Sequence, residues 1–206
     1  MPRFIADFHI HSKYSMATSK QLTPKWLDYW ARIKGISVVG TGDFTHQKWT
    51  AELYEQLQAA EQGLFMLKPD FVEHSQAIPQ ALVRFMLTAE ISSIYKKNGK
   101  TRKVHTILWA PDFDTVTKVQ HAFMQRNLNI ASDGRPIIGM DARDLAALCK
   151  DISPDIHIVP AHIWTPWFSA LGAKSGFDSI AECYGDMEPH IFAVETGLSS
   201  DAPMNW

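Results

Sequence analysis

The chain predicts an α/β fold, either an α/β barrel or a doubly wound sheet, and three observations carry that expectation. Short apolar runs at residues 3–11, 36–40 and 156–161 alternate with stretches of helical periodicity, which is the pattern of βα units. An Asn98-Gly99 pair separates two long strand-like runs and marks a tight hairpin. His, Asp and Glu residues recur at the ends of the runs, where α/β folds collect their chemistry. With 206 residues and 46% hydrophobic content the chain supports one sizeable core, so a single domain over 1–206 is expected.

Residues 3–11 read as the first strand and 12–19 as a polar loop carrying Lys13 and Ser15. Thr23 followed by Pro24 opens a helix whose Trp26, Leu27, Trp30 and Ile33 recur at helical spacing until Gly35; Trp26 and Trp30 are read as core. Residues 36–40 form a second strand that delivers Asp43 and His46 to the next loop, and 50–62 a helix buried through Leu53, Leu57 and Ala60. The stretch 64–80 has no clear period. Strands over 82–95 and 104–110 flank the Asn98-Gly99 turn.

A two-residue loop there pairs positions that sum to 197, so Glu90 faces Ile107 and His105 lies two positions along on the same side. Glu90 and His105 become diagonal neighbours within reach of a shared metal. Beyond the hairpin, 114–128 reads as a helix capped by Asp114, with Val116, Val119 and Phe123 inward. Residues 137–140 are a short strand, and Asp141 with Asp144 opens another helix through Leu145, Leu148 and Ile152. Residues 156–161 form a strand handing His162 to the loop that holds Trp164 and Trp167, 177–184 a helix, and 191–194 a strand ending at Glu195.

The net charge of −2 gives no global footprint for a polyanion, so nucleic-acid contact would need a local basic patch. Cys149 and Cys183 sit in apolar helical settings as buried thiols. There is no leader-like N-terminus and no apolar run of spanning length, so a cytoplasmic protein without membrane contact is expected.

His9 and His11 lie two apart on a strand and face one side, where they can grip one ion. An isolated His-x-His is weak evidence, but Asp43, Glu90, His105, His162 and Glu195 at other strand ends turn it into a constellation. Four imidazoles and a carboxylate suit two or three divalent ions, zinc best, with manganese, iron or magnesium as alternatives. Such clusters activate a bridging water and clamp a phosphoryl group.

The blocks DFHIHSKYSMATSK, GTGDFTHQKW, TAEIS, KVHTILWAPD, VPAHIWTPWFSALGAKSGF and ETGLSSDAPMNW resemble the PHP (polymerase and histidinol phosphatase) superfamily, most closely its endonuclease Q subfamily. The resemblance implies a distorted (β/α)7 barrel with metals at one mouth. It also implies hydrolysis of the DNA backbone 5′ of deaminated bases or at abasic sites, in repair. Carried over by motif, His9, His11 and Glu90 hold a first metal, and Glu90, His105 and His162 a second. Asp43 serves a third site, while Asp7 and Glu195 orient ligands. Glu90, Asp43 and His46 are the residues assigned to the reaction. The substrate is assigned Lys13, Ser15, Trp49, Trp164 and Trp167, with DNA tracked by Lys97, Lys100 and Arg102 in the basic hairpin tip, which also holds Lys96 and Lys103. A solvated turn is the plain alternative for the tip, and burial for the tryptophans.

Related chains continue past Met204-Asn205-Trp206 into a last strand that completes the metal site. This chain is therefore expected to be an N-terminal portion with an apolar edge beside its first strand and weakened metal binding. A small-molecule phosphatase like histidinol phosphatase, and an inactive metal-binding fragment, are the alternative functions.

Overall fold

The structure, a computed structural model, describes residues 3–74, 81–197 and 202–203. Residues 75–80, where the end of the unassigned stretch falls, and the Met204-Asn205-Trp206 region lie outside the described residues. The fold is mixed α/β, and contacts divide it into two compact units. One is drawn from Met1–Ala89 and Trp109–Arg135, the other from Glu90–Leu108 and Pro136–Trp206.

In the first unit, β1 (Ala6–Asp7) runs parallel to β2 (Val38–Gly40), with Ala6 opposite Val38, and β2 runs parallel to the start of β5 (Arg84–Lys97), with Val39 opposite Phe85. The regular part of the first strand is far shorter than the predicted 3–11, and Phe4 and Ile5 ahead of it are exposed. Helix α1 (Pro24–Lys34) begins at the proline and ends on Gly35, whose φ of 72° is the left-handed stop that glycine permits. Its inward face carries Leu27, Ala31 and the buried Asp28–Arg32 ion pair, which displaces the tryptophans to the flank. Trp30 is therefore 51% exposed and Trp26 half-buried, so neither is the core residue that its spacing suggested.

Helix α2 (Gln47–Gln56) starts and stops earlier than predicted. Leu57 leaves the helix to begin β3 (Leu57–Ala59), which pairs antiparallel with β4 (Phe65–Leu67). Gly63 thus serves that hairpin's turn, at φ 74°, and Ala60 is exposed. β4 in turn meets β5 at Phe65 and Phe85, and a 3₁₀ turn at Pro69–Phe71 follows. Helix α3 (Phe113–Gln125) is capped by Asp112, whose carboxylate accepts from Thr115 N at 2.7 Å, so Asp114 sits in the first turn instead. Val116, Val119 and Phe123 are fully buried, as their spacing requires, and they share the unit's core with Phe44, Leu53, Phe85 and Leu87.

The second unit is built on the rest of β5 and on β6 (Lys100–Ala110), which pair across a loop of only Asn98 and Gly99. Both loop residues have positive φ, 52° and 73°, the backbone of a type I′ turn. β7 (Ile137–Ile138) runs parallel to β5 with Ser92 opposite Ile137. Helix α4 (Ala142–Ile152) is capped by Asp141, and β8 (His157–Pro160) pairs with β6. Helix α5 (Ile180–Tyr184) and a 3₁₀ turn at Gly185–His190 complete the unit. The predicted strand at 191–194 is absent, and Phe192 there is 73% exposed. Glu195 makes strand-like contacts, donating from N to Pro160 O and accepting at O from Ile163 N, both at 2.9 Å.

Cys149 and Cys183 are free, buried thiols, pushed up to about 12 chiefly by burial, so neither is a nucleophile at neutral pH. Among the described residues no helix is long and apolar enough to cross a membrane.

Candidate metal centre

The β5–β6 hairpin sets the centre of the second unit. Ser92 and His105, opposite one another in the expected register, touch through Ser92 Oγ and His105 Nε2 at 3.0 Å. His105 Nδ1 then lies 2.6 Å from Glu90 Oε1 on the diagonal, and His162 Nε2 reaches the same oxygen at 3.3 Å. Each of the three residues offers one ligand atom, all within 4.8 Å of one another. Adjacent donors on a tetrahedral zinc ion with bonds near 2.0 Å stand about 3.3 Å apart, so the cluster fits one such ion after small adjustments. Two imidazoles beside a carboxylate suit zinc, manganese or iron and make magnesium the poorest fit.

The supporting contacts set the tautomers of both rings. With Nδ1 turned to the carboxylate as a ligand nitrogen, Nε2–H of His105 donates to Ser92 Oγ. The Thr165 hydroxyl can donate to His162 O or Trp167 O, so its oxygen accepts from His162 Nδ1 at 2.9 Å and Nε2 keeps its lone pair toward Glu90. Glu195 fixes the backbone of this residue, its Oε2 accepting from His162 N at 2.6 Å. His162 itself has φ 30° and Phe168 φ 62°, unfavourable values for side-chain-bearing residues, and Phe168 packs its ring 4.8 Å from that of His105.

In the first unit the rings of His9 and His11 are 5.7 Å apart. His11 Nδ1 lies 3.0 Å from Asp43 Oδ1, and because a carboxylate only accepts, that nitrogen carries the proton and the lone pair sits on Nε2. Asp43 Oδ2 accepts from Ser12 N, Ser12 Oγ and Ser15 Oγ at 2.6, 2.7 and 2.8 Å. Asp43 is fully enclosed, and a Cβ on Gly134 would lie 2.2 Å from its Oδ2, so no side remains open for an ion. This corrects the expectation that Asp43 serves a third metal: its carboxylate orients His11. Ser15 belongs to the same buried network and not to the substrate surface. Asp7 accepts from His9 N at 3.3 Å, which places it on the backbone ahead of the pair and not on an imidazole.

Other expected substrate residues are engaged elsewhere. Trp49 is fully buried in α2 and donates Nε1–H to Gly42 O at 2.8 Å, so it cannot stack on a base. Lys13 is paired with Glu52 at 2.9 Å, and Lys97 with Asp141 at 3.0 Å. Arg102 is buried, donates to Gly176 O, approaches Glu182 and lies 4.1 Å over the Phe177 ring; it is part of the fold and does not track phosphate. Lys96 and Lys100 stay exposed at the tip, and Trp167 is half-exposed beside the half-buried Trp164. Sequence reasoning missed Ser12, Ser92 and Thr165 because serine and threonine carry no ligand signature; only the 197 pairing rule could have found Ser92.

His46 is buried and works as the cap of α2: Nδ1 accepts from Trp49 N at 3.4 Å while its ring stacks on Tyr14 at 4.3 Å. Its ring is not presented at the surface. Burial pushes its pKa below the ordinary 6.5, only partly offset by a hydrogen bond to the backbone of Ala131 and by Asp43. The unfolded chain therefore binds more protons than the folded one, so this contribution to stability is present above the ordinary value and is lost as pH falls through the folded one. His46→Asn keeps a good cap without a titrating ring, and the urea midpoint of that variant should fall less than that of the parent between about pH 7 and pH 5. Parallel pH profiles would show that His46 is not the group responsible.

No family model matches the chain. An uncharacterized protein of Methanocaldococcus jannaschii is 26% identical over 176 residues, covering 85% of this chain and 18% of that protein. Among solved structures, the lesion-specific endonuclease PfuEndoQ of Pyrococcus furiosus is 32% identical with a TM-score of 0.76, covering 97% of this chain and 43% of that one. An endonuclease Q complex with a 27-mer duplex carrying an abasic lesion at the active site is 33% identical with a TM-score of 0.77, covering 97% and 44%. A structure from Bifidobacterium adolescentis, provisionally assigned as a metal-dependent phosphoesterase, covers 94% of this chain and 77% of that one at a TM-score of 0.51; at 13% identity it shares the fold alone. The resemblance to endonuclease Q read from the sequence blocks is thus present in the structure as well, and the chain spans less than half the length of those endonucleases.

Proposed function

We propose that this chain carries the metal-holding part of a DNA phosphodiesterase of the endonuclease Q kind, cutting the backbone beside a deaminated base or an abasic site. The observation that carries the reading is the Glu90–His105–His162 cluster, whose supporting contacts turn its imidazole nitrogens toward one carboxylate oxygen. When bound there, a divalent ion supplies Lewis acidity toward a phosphoryl oxygen and a water of lowered pKa. The chain's own part is positional. Glu90 brings the negative charge, Ser92 and Thr165 fix the two tautomers, and Glu195 holds the backbone of His162. His9 and His11 are assigned to a further ion on the sequence resemblance, with Asp43 behind His11.

A second reading, a small-molecule phosphatase, gains support from Arg102 and Lys97, whose charges are spent inside the fold and leave a thin basic surface for DNA. The deciding experiment incubates the chain with zinc or manganese and either a duplex containing uracil or an abasic site, or a phosphomonoester. Chelator-sensitive nicking of the lesion strand is expected. Turnover of the monoester with an intact duplex would put the phosphatase first, and metal retention without either activity would leave an inactive metal-binding role.

A further inference from the structure

Resting on the phosphoester reading, we propose that Lys103 is the cation that grips a substrate phosphate oxygen beside the Glu90–His105–His162 cluster, with Trp167 and Phe168 as its resting place. Lys103 stands two residues before His105 on β6. Strand alternation puts both side chains on one face about 7 Å apart, whereas Arg102, the residue before Lys103, points to the other face and is used up in packing.

The ammonium is held over two rings, 5.1 Å from the centre of Trp167 and 5.0 Å from that of Phe168, and the Phe168 ring in turn lies 4.8 Å from the His105 ring. The loop bearing these rings is strapped to the same strand. His105 N donates to Phe168 O at 2.9 Å, Lys103 N to Ser175 O at 3.2 Å, and Ser175 Oγ to Lys103 O at 3.2 Å. The shelf is therefore fixed in place relative to the histidine.

The charge state of the shelf supports the assignment. Lys13, Lys25, Lys97, Arg102, Lys118 and Arg143 each have a carboxylate partner. Among the described residues no carboxylate lies within ion-pair distance of Lys103, and its cation is satisfied only by aromatic faces. A cation–π contact at a partly exposed ring is several times weaker than a charge-assisted hydrogen bond to a phosphate oxygen, so an incoming phosphate ester wins the ammonium from the rings. Nothing in the exchange has to be broken that the fold depends on.

The test uses the zinc-loaded chain and inorganic phosphate as the probe, followed by calorimetry and by tryptophan emission, with zinc content measured alongside. Wild type should bind phosphate with a change in emission that is lost in Trp167→Phe. Lys103→Gln should bind about tenfold more weakly at unchanged zinc content, Lys103→Arg should recover most of the affinity, and Lys118→Gln should match wild type. Equal affinity in Lys103→Gln and wild type would overturn the assignment to Lys103 while leaving the phosphoester reading standing. No phosphate binding by zinc-loaded wild type would overturn both.

Discussion

Replacing Glu90 with glutamine should lower zinc affinity at the second unit's centre by at least about a hundredfold, because even the loss of a partner outside the coordination sphere costs tenfold to a hundredfold. Glu90 is 2% exposed and one of its oxygens meets both His105 and His162, so no neighbouring side chain can substitute for it without moving the hairpin. The amide keeps the shape of the carboxylate and loses its charge. Dialysis against chelators of graded strength, with metal read by mass spectrometry and folding by circular dichroism, checks this. Asp43→Asn, which touches an imidazole only from behind, should lose less metal than Glu90→Gln. Equal loss in the two variants would remove Glu90 from the central role.

Trp49→Ala should unfold most easily of the single substitutions considered, by about 3–5 kcal/mol, the usual cost of emptying a fully buried aromatic site. Trp49→Phe separates the packing from the hydrogen bond. The indole N–H is shared between Gly42 O at 2.8 Å and Thr41 O at 3.2 Å, and leaving those buried carbonyls without it costs about 1–3 kcal/mol. Urea unfolding measures both variants. Neither should alter affinity for DNA in the folded state; a phenylalanine variant as stable as the parent yet weaker on DNA would return Trp49 to the substrate surface.

The hairpin was legible because its information is local. A two-residue loop admits one register, and parity then places Glu90 and His105 on one face, which the 2.6 Å contact bears out. The helix starts were legible where a short polar side chain or proline stands alone, as at Pro24 and Asp141, but Asp112 and Asp114 are equally good caps on paper, and only the neighbouring chain selects between them. His46 was misread because a histidine near a carboxylate advertises chemistry, while its use as a cap depends on Trp49 N arriving at its ring. Arg102 was misread for a related reason. Five cations at a hairpin tip suggest a phosphate track, yet alternation sends every second one to the opposite face, and what waits there, Phe177 and Gly176, comes from more than 70 residues away.

The two-residue turn also orders the assembly of the centre in time. Glu90 and His105 are joined by a loop that closes within microseconds, as hairpins do, so the carboxylate and first imidazole meet early and locally. His162 is fixed only after β8 has docked on β6 and Glu195 has reached back to its backbone, contacts of much greater sequence separation that form slowly. An ion captured by the hairpin alone holds two donors; its third donor comes only with the finished second unit, so tight retention of the metal reports that folding is complete.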